Sequence, residues 1–435
     1  MRSLIRIEMF PASYGDSFLV TCVGNENTYV LIDMGFMSTY SNSIKDKLVE
    51  INNNNESLAL LVLTHVDDDH ISGAIRFFAE NGNSKKPSII KVNNIWYNSY
   101  RHLQFDKRKA SFSHDAAYEL VNIEKNKEIL ERMKKNRPRE RGAVEKLNIS
   151  TLQGSTIASL LFFYDYMDCW NSHFNHEAVI TEEMQDNDGI LQLRQIKLSE
   201  DVNVTILSPN LSKLRLLHDL WREKLISEGY EGVIINDEWM DDAYEVFMAN
   251  MKEEKTKTRK LYKIATENNI TGLMNEEFEA DSAPVNGSSI AFILEFKKKR
   301  ILFLADAHTD ILIESLKKLA KKEGNTRIYF DAVKISHHGS KHNTSKELLE
   351  IIDTERYIFS TNGRGKGFIH PDIETIFRII TTNTERKKTL IFNYKPLHII
   401  KMINNEELKT KYNYDIEYSN DLSGRKLNDI TTVEI

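Results

Sequence analysis

Cysteine is nearly missing from this sequence. Two residues, Cys22 and Cys169, in a chain of 435 exclude a disulfide framework and a zinc module built on thiolates. Proline (7) and glycine (18) are too scarce for a fibrous or low-complexity chain. Nowhere is there an apolar run of about 20 residues, the length a bilayer crossing needs. The most apolar stretch, residues 157–170, is short and contains Asp165 and Asp168, so it reads as a buried helix. An excess of positive charge is missing as well. Lys plus Arg is 58 and Asp plus Glu is 64, leaving −6, which argues against a globally basic binder of nucleic acid but leaves room for a local basic groove. The start of the chain carries Arg2, Arg6 and Glu8 and alternates like a strand, unlike a signal peptide. A cytoplasmic protein without membrane association is the expectation.

What is present is a globular composition, 41% hydrophobic and 28% charged, with thirteen histidines. Residues 4–10, 17–23 and 29–33 are short apolar runs between Gly-containing turns, as strands are. Residues 42–51 have helical spacing. Residues 58–64 form an unbroken apolar run, the pattern of a central strand buried on both faces, and residues 71–81 return to helical spacing. The middle of the chain is different: 116–135, 156–170, 211–228 and 238–268 read as helices, several of them heavily charged. Strand patterns reappear at 202–207, 289–296, 301–304, 328–335 and 357–360, with a charged turn at 297–300. The division that follows is an α/β core in three pieces, 1–98, 191–209 and 284–400. Two mostly helical insertions, 99–190 and 210–283, interrupt it, and a C-terminal extension, 401–435, follows it.

The chemistry concentrates where apolar strands end. The run of residues 58–64 delivers the chain into His65-Val66-Asp67-Asp68-Asp69-His70, in which five side chains can ligate a metal. A strand end followed by a turn can aim several of them at one point, and Asp with His donors suit zinc, manganese or iron. Leu304-Ala305-Asp306 puts a carboxylate at a second strand end, Ser336-His337-His338-Gly339 a histidine pair at a third, and His370-Pro371 follows a fourth. An α/β site built from loops at one sheet edge has this layout.

Taken in order, these motifs resemble the metallo-β-lactamase superfamily, and within it the ComEC-type (HxDxDH) hydrolase/nuclease branch. His65 to Gly73 resembles HxDxDHxGG, with Ser72 in place of the first glycine. Gly15-Asp16-Ser17, Leu31-Ile32-Asp33-Met34-Gly35, Thr205 to Pro209, Asn286-Gly287-Ser288-Ser289, Leu304-Ala305-Asp306, His337 to Ser340 and Ile369-His370-Pro371 are similar to further stations of that pattern. The matches span residues 10–372. The resemblance implies an αββα sandwich carrying two divalent metal ions, zinc or manganese. His65 and Asp67 resemble ligands of the first ion. Asp69, His70 and His337 resemble ligands of the second, and Asp306 resembles the bridge between them. His338 and Asp33 take supporting places. The family's third histidine of the first site has no evident counterpart; Asn286 stands nearest to it.

The implied activity is phosphodiester hydrolysis by metal-activated water, most readily as a nuclease on DNA or RNA. Small-molecule phosphodiesterases, acting on cyclic nucleotides or phosphorylcholine-type esters, are the alternative, as is a binding module with weakened catalysis. Asp69 and His370 are the expected catalytic residues, His370 as a donor to the phosphate or leaving group. Arg364, Lys366 and Lys341 are the candidate phosphate contacts. The basic stretch 134–141 and the aromatics Trp96, Tyr97 and Tyr100 offer a place for a polymer, although a solvated helix end is the simpler reading of 134–141. His308 sits two residues from Asp306 and is a weaker candidate; His173 and His176 read as loop residues. The expected company is a phosphodiester substrate, nucleic acid included, and a partner protein or a second copy of the chain, in a role such as defence against foreign DNA.

Overall fold

A computed structural model describes residues 4–103, 116–134, 156–181, 184–185, 191–231, 238–249, 277–365, 369–418 and 430–435. Two sheets dominate it. The first has six strands in the order Thr431–Glu434, Leu4–Met9, Phe18–Val23, Thr28–Ile32, Leu58–Val62 and Ile95–Trp96. It is antiparallel as far as Thr28–Ile32 and parallel from there to Ile95–Trp96. The second has eight, in the order Tyr414–Tyr418, Lys388–Phe392, Arg356–Phe359, Ala332–Lys334, Lys299–Phe303, Ala291–Phe296, Val202–Ser208 and Gln195–Lys197. Its first five strands run parallel and the rest antiparallel.

The two sheets face each other across a dry core. Ile5, Ile7, Val20, Val30, Leu60 and Val62 from one meet Val204, Ile206, Phe292, Leu294, Phe303 and Ile358 from the other. Leu61 and Leu63 point the opposite way, into the helices on the first sheet's outer face. Period-two alternation with both faces apolar explains the unbroken run at 58–64. A third core lies outside the second sheet, where Leu312 and Leu316 of helix Thr309–Lys322 and Ile376, Phe377 and Ile380 of helix Ile373–Thr381 cover Leu302, Val333 and Leu390. The layering is α/β/β/α.

The two insertions supply most of the helical layer on the first sheet. Helices Ala116–Lys134, Ile157–Phe163, Leu211–Ser227 and Glu238–Ala249 share one core with helix Asp68–Asn81 through Leu130, Leu161, Trp221, Tyr244 and Phe78. Buried Asp241 ties the two insertions together. It accepts hydrogen bonds from Ser99 Oγ at 2.9 Å, from the Arg101 amide at 2.8 Å and from the Arg101 guanidinium at 2.8 and 2.6 Å.

Several boundaries differ from the sequence reading. The segment 401–435 is no appendage: Tyr414–Tyr418 forms an edge of the second sheet, and Thr431–Glu434 forms an edge of the first. Its short, half-exposed strands carry too little apolar pattern to be seen in sequence. The run at 328–335 is two strands, Ile328–Phe330 in a small separate pair with Ile352–Thr354 and Ala332–Lys334 in the main sheet. The turn at 297–300 closes earlier, since Arg300 already lies in strand Lys299–Phe303 and pairs with Glu295 and Glu323. Helix Asp68–Asn81 begins three residues before Ile71, so Asp69 and His70 occupy its first turn. The helix of 156–170 ends at Phe163, and only Glu238–Ala249 of the 238–268 helix falls within the described residues.

Candidate metal centre

The parallel strands of both sheets deliver their C-terminal ends to one edge, where α/β sheets place ligands. Thr64 and His65 follow strand Leu58–Val62. Asp67 caps the next helix, and Asp68 and Asp69 in its first turn carry negative charge where the helix dipole favours it. Asp306 follows strand Lys299–Phe303, and the turn Ser336–Gly339 follows Ala332–Lys334. His370 follows Arg356–Phe359 after a longer loop.

Four imidazoles surround one carboxylate oxygen. Asp306 Oδ2 lies 3.8 Å from His65 Nε2, 3.6 Å from His70 Nε2, 3.6 Å from His337 Nε2 and 3.9 Å from His338 Nε2. Asp67 approaches His65 Nε2 at 3.5 Å, and Asp69 approaches His338 Nε2 at 3.5 Å. Each ring is held by its other nitrogen. His65 Nδ1 is 3.0 Å from Thr64 Oγ1, and His70 Nδ1 is 2.8 Å from Asp33 Oδ2. His337 Nδ1 is 3.0 Å from Asn343 Oδ1, and His338 Nδ1 is 2.9 Å from the Ser360 carbonyl. The Nε2 atoms of His65, His70 and His338, with Asp306 Oδ1, are buried and have no hydrogen-bond partner. Burying unpaired polar atoms costs on the order of 1–3 kcal/mol each, and a cation among them removes that cost. Among the described residues three groups of donors have atoms within 4.8 Å of one another: His65, His70 and Asp306; Asp69, His70 and His338; and Asp16, Asp33 and His70.

The backbone is strained where it presents these groups. Asp33, Ala305, His337 and His338 have φ of 52°, 46°, 46° and 52°, the left-handed region that non-glycine residues avoid. Electrostatics are equally specialised. Burial opposes a charged His70, yet the carboxylates of Asp306, Asp33 and Asp69 hold its pKa well above the ordinary value. His338 is likewise opposed by burial and raised, to about 9, by Asp16 and Asp306. Burial would raise Asp306, but His337, His70 and His338 hold it well below the usual carboxylate range. Asp67 is raised, by burial foremost.

The remaining candidates divide. Asp33 stands behind the cluster and also accepts from the Thr64 amide and hydroxyl, both at 2.8 Å. Asn286 is buried but donates to Asp281 Oδ2 at 2.8 Å. The His370 ring lies 5.2 Å from that of His337, centroid to centroid, with Asp372 3.4 Å from its Nδ1. Lys341 Nζ is 3.1 Å from Glu374. Arg364 is exposed, two residues after Asn362, whose amide donates at 2.8 Å to the Ser13 carbonyl in the loop between strands Leu4–Met9 and Phe18–Val23. Lys366 lies outside the described residues, as do Lys135, Arg137, Arg139 and Arg141. His308 points away from the cluster, 2.9 Å from the Ala283 carbonyl and 3.1 Å from Lys213. His173 accepts from Trp96 Nε1 at 3.1 Å, and His176 sits on the Trp170 carbonyl.

Trp96, Tyr97 and Tyr100 are fully buried, so they stack on no base; Trp96 lies in the edge strand Ile95–Trp96 of the first sheet. Lys134 is ion-paired with Asp242.

Sequence reasoning passed over Asp281 and Asn343. Asn343 Nδ2 donates to Asp281 at 3.0 Å and to the Asp306 carbonyl at 3.2 Å, which locks the loop that carries His337. Neither residue belongs to a spaced motif. A third omission, Lys334, had a visible signal: a lone lysine inside the apolar run 332–335.

No protein-family model matches the chain, and no curated protein matches it. Ten solved chains do. One of them, a mutant of CmlA beta-hydroxylase, is 9% identical with a TM-score of 0.32 and is matched over 100% of this chain and 54% of its own. The present chain thus spans about half the length of that protein. The α/β/β/α layering, with histidines and carboxylates at one sheet edge, is the sandwich expected from the sequence. Among the described residues no helix is long and apolar enough to cross a membrane.

Proposed function

We propose that this chain is a dinuclear, metal-dependent phosphodiester hydrolase of the ComEC type, acting on DNA or RNA. The observation that carries the reading is the set of buried, unpartnered Nε2 atoms of His65, His70 and His338 turned toward Asp306. Bound divalent cations would supply an acidified water and charge for the phosphate oxygens. Asp69, His70, His338 and Asp306 would hold one ion; His65 and Asp67, with Asp306 shared, would hold the other. His338 replaces His337 as the ligand beside Asp69, because its Nε2 is the one within 3.5 Å of that carboxylate. Asn286 is held by its Nδ2 donating to Asp281. His370, oriented by Asp372, is the group to hydrogen-bond the phosphate or protonate the leaving oxygen. Arg364, exposed and six residues before His370, is the candidate contact for a flanking phosphate.

One observation favours a second reading, a small phosphodiester as substrate. The aromatics expected to stack on bases are buried, and Lys134 and Lys341 already have carboxylate partners. A panel of single-stranded DNA, RNA, cyclic nucleotides and bis-(p-nitrophenyl) phosphate, each with manganese and with zinc, separates the two. Hydrolysis of at least one is expected, and Asp69→Ala and His338→Ala should each lower it by two orders of magnitude or more. Full turnover by metal-replete Asp69→Ala protein would refute the assignment.

A further inference from the structure

Two carboxylates stand directly behind the histidines of the cluster. Asp33 serves His70 and belongs to the same sheet as its partner. Asp16 approaches His338 from the opposite sheet, beside the Ser360 carbonyl that accepts from the ring's Nδ1, and it is paired with the buried Lys334. Lys334 ends strand Ala332–Lys334 of the second sheet, and Asp16 lies in the loop that joins the first two strands of the first sheet. The two form an ion pair, and both side chains are 2% exposed. Asp16 Oδ1 lies 3.2 Å from His338 Nδ1.

The same loop also grips the other side of the cluster. The Asp16 amide donates to the Asp69 carbonyl at 3.3 Å. Gly15 packs so closely there that a Cβ would fall 2.0 Å from the same carbonyl oxygen. Ser360, whose carbonyl faces His338 Nδ1, donates its hydroxyl to the Gly15 carbonyl at 2.8 Å. Asp69 comes from the first sheet's helix and His338 from the second sheet's turn, yet their ligand atoms are 3.5 Å apart. Nothing within one sheet sets that distance.

We propose that the Lys334–Asp16 pair is an intersheet latch that positions Asp69 and His338 to close on one metal ion, so that Lys334 and Asp16 are positioning residues for the second ion. This rests on the metal reading above. A buried ion pair contributes little net stability compared with apolar residues of similar volume, whereas removing only one partner is strongly destabilising. Positions of this kind behind a metal ligand commonly change metal affinity 10–100-fold when altered. The chain keeps a costly pair at a place where the two sheets meet around a shared site.

The test removes both charges together. The full chain carrying Asp16→Leu with Lys334→Met, and a milder version with Asp16→Asn and Lys334→Met, would be stripped of metal and melted, then titrated with manganese and with zinc by calorimetry. Metal-free protein is expected to melt within a few degrees of the unaltered chain. About one of the two ions should bind 10–100-fold more weakly, and the melting temperature should rise less on adding metal. A folded double variant that takes up two ions with unaltered affinity overturns the latch. So does a lowered metal-free melting temperature with unaltered affinity, which marks the pair as merely structural. If the unaltered chain binds no divalent ion, the metal reading itself fails, and the two failures are distinguished.

Discussion

At the scale of single residues, the site is a set of side chains made one-sided. Each histidine of the cluster spends Nδ1 on a neighbour and turns Nε2 inward. For His70 that neighbour is Asp33, which also fixes Thr64 and therefore the start of the His65 segment. Asp33→Asn keeps the shape and loses the charge. It is expected to weaken metal binding by about 10–100-fold with little change in the melting temperature of metal-free protein, as calorimetric titration will show. Unaltered affinity would mean that Asp33 serves Thr64 alone. Much of this set was legible: His65, Asp67, Asp69, His70, Asp306 and the histidine pair stand at strand ends in the order of a known motif. Which of His337 and His338 faces Asp69 was not, because adjacent residues with left-handed backbone defy alternation rules. Asp281 and Asn343 were illegible for a different reason. They act through the tertiary neighbourhood of His337, and nothing local marks them.

At the scale of elements, helix Asp68–Asn81 is the carrier of Asp69 and His70, and its seating is tight. The Gly73 amide donates to the Gly35 carbonyl at 2.8 Å, and a Cβ on Gly73 would fall 2.1 Å from the Met34 carbonyl oxygen. Gly73→Ala should therefore push the helix off the Met34–Gly35 loop. A loss of about 1–3 kcal/mol in urea denaturation is expected for such overpacking, with metal affinity falling as well; a neutral result would show that the loop yields. The motif's other glycine position, Ser72, tolerates a side chain because its hydroxyl reaches back to Asp68 at 3.0 Å.

A second element carries a pH signature. Buried Glu245 accepts the Ile157 and Ala158 amides at the start of helix Ile157–Phe163, at 2.8 and 2.9 Å. Burial first, with Asp242 adding, raises its pKa to about 8 despite those bonds. A carboxyl raised on folding contributes stability that is complete below its unfolded value, near 4.5, and is lost as pH rises through about 8. Denaturation midpoints should fall between pH 5 and 8 in the unaltered chain, and less steeply in Glu245→Gln. Parallel slopes would show that the carboxylate is already ionised at pH 5.

At the scale of the whole molecule, the fold is an arrangement for bringing two sheets' strand ends to one place, and the chain closes it with its last described segment. The alternating and doubly apolar strands of the central sheets were readable because burial dictates their composition. The edges were not, since edge strands are half solvated and carry weak patterns. Residues 401–435 read as an extension for that reason, although Thr431–Glu434 pairs along Leu4–Met9 from Arg6 to Met9. Ile5 and Ile435 exchange backbone hydrogen bonds in both directions, at 3.0 and 2.9 Å. Val433 and Ile435 enter the core between the sheets, 7% and 9% exposed. An appendage could be removed without consequence; this strand cannot. Burying each of two such side chains contributes about 1.5–3 kcal/mol, a large part of a typical total of about 5–15 kcal/mol. Deleting residues 430–435 also leaves Leu4–Met9 as a bare edge, a template for pairing with other chains. The shortened chain should melt several degrees lower by calorimetry and elute as larger species in size-exclusion chromatography. Unchanged melting with unchanged elution would show that the sandwich is complete without its last strand.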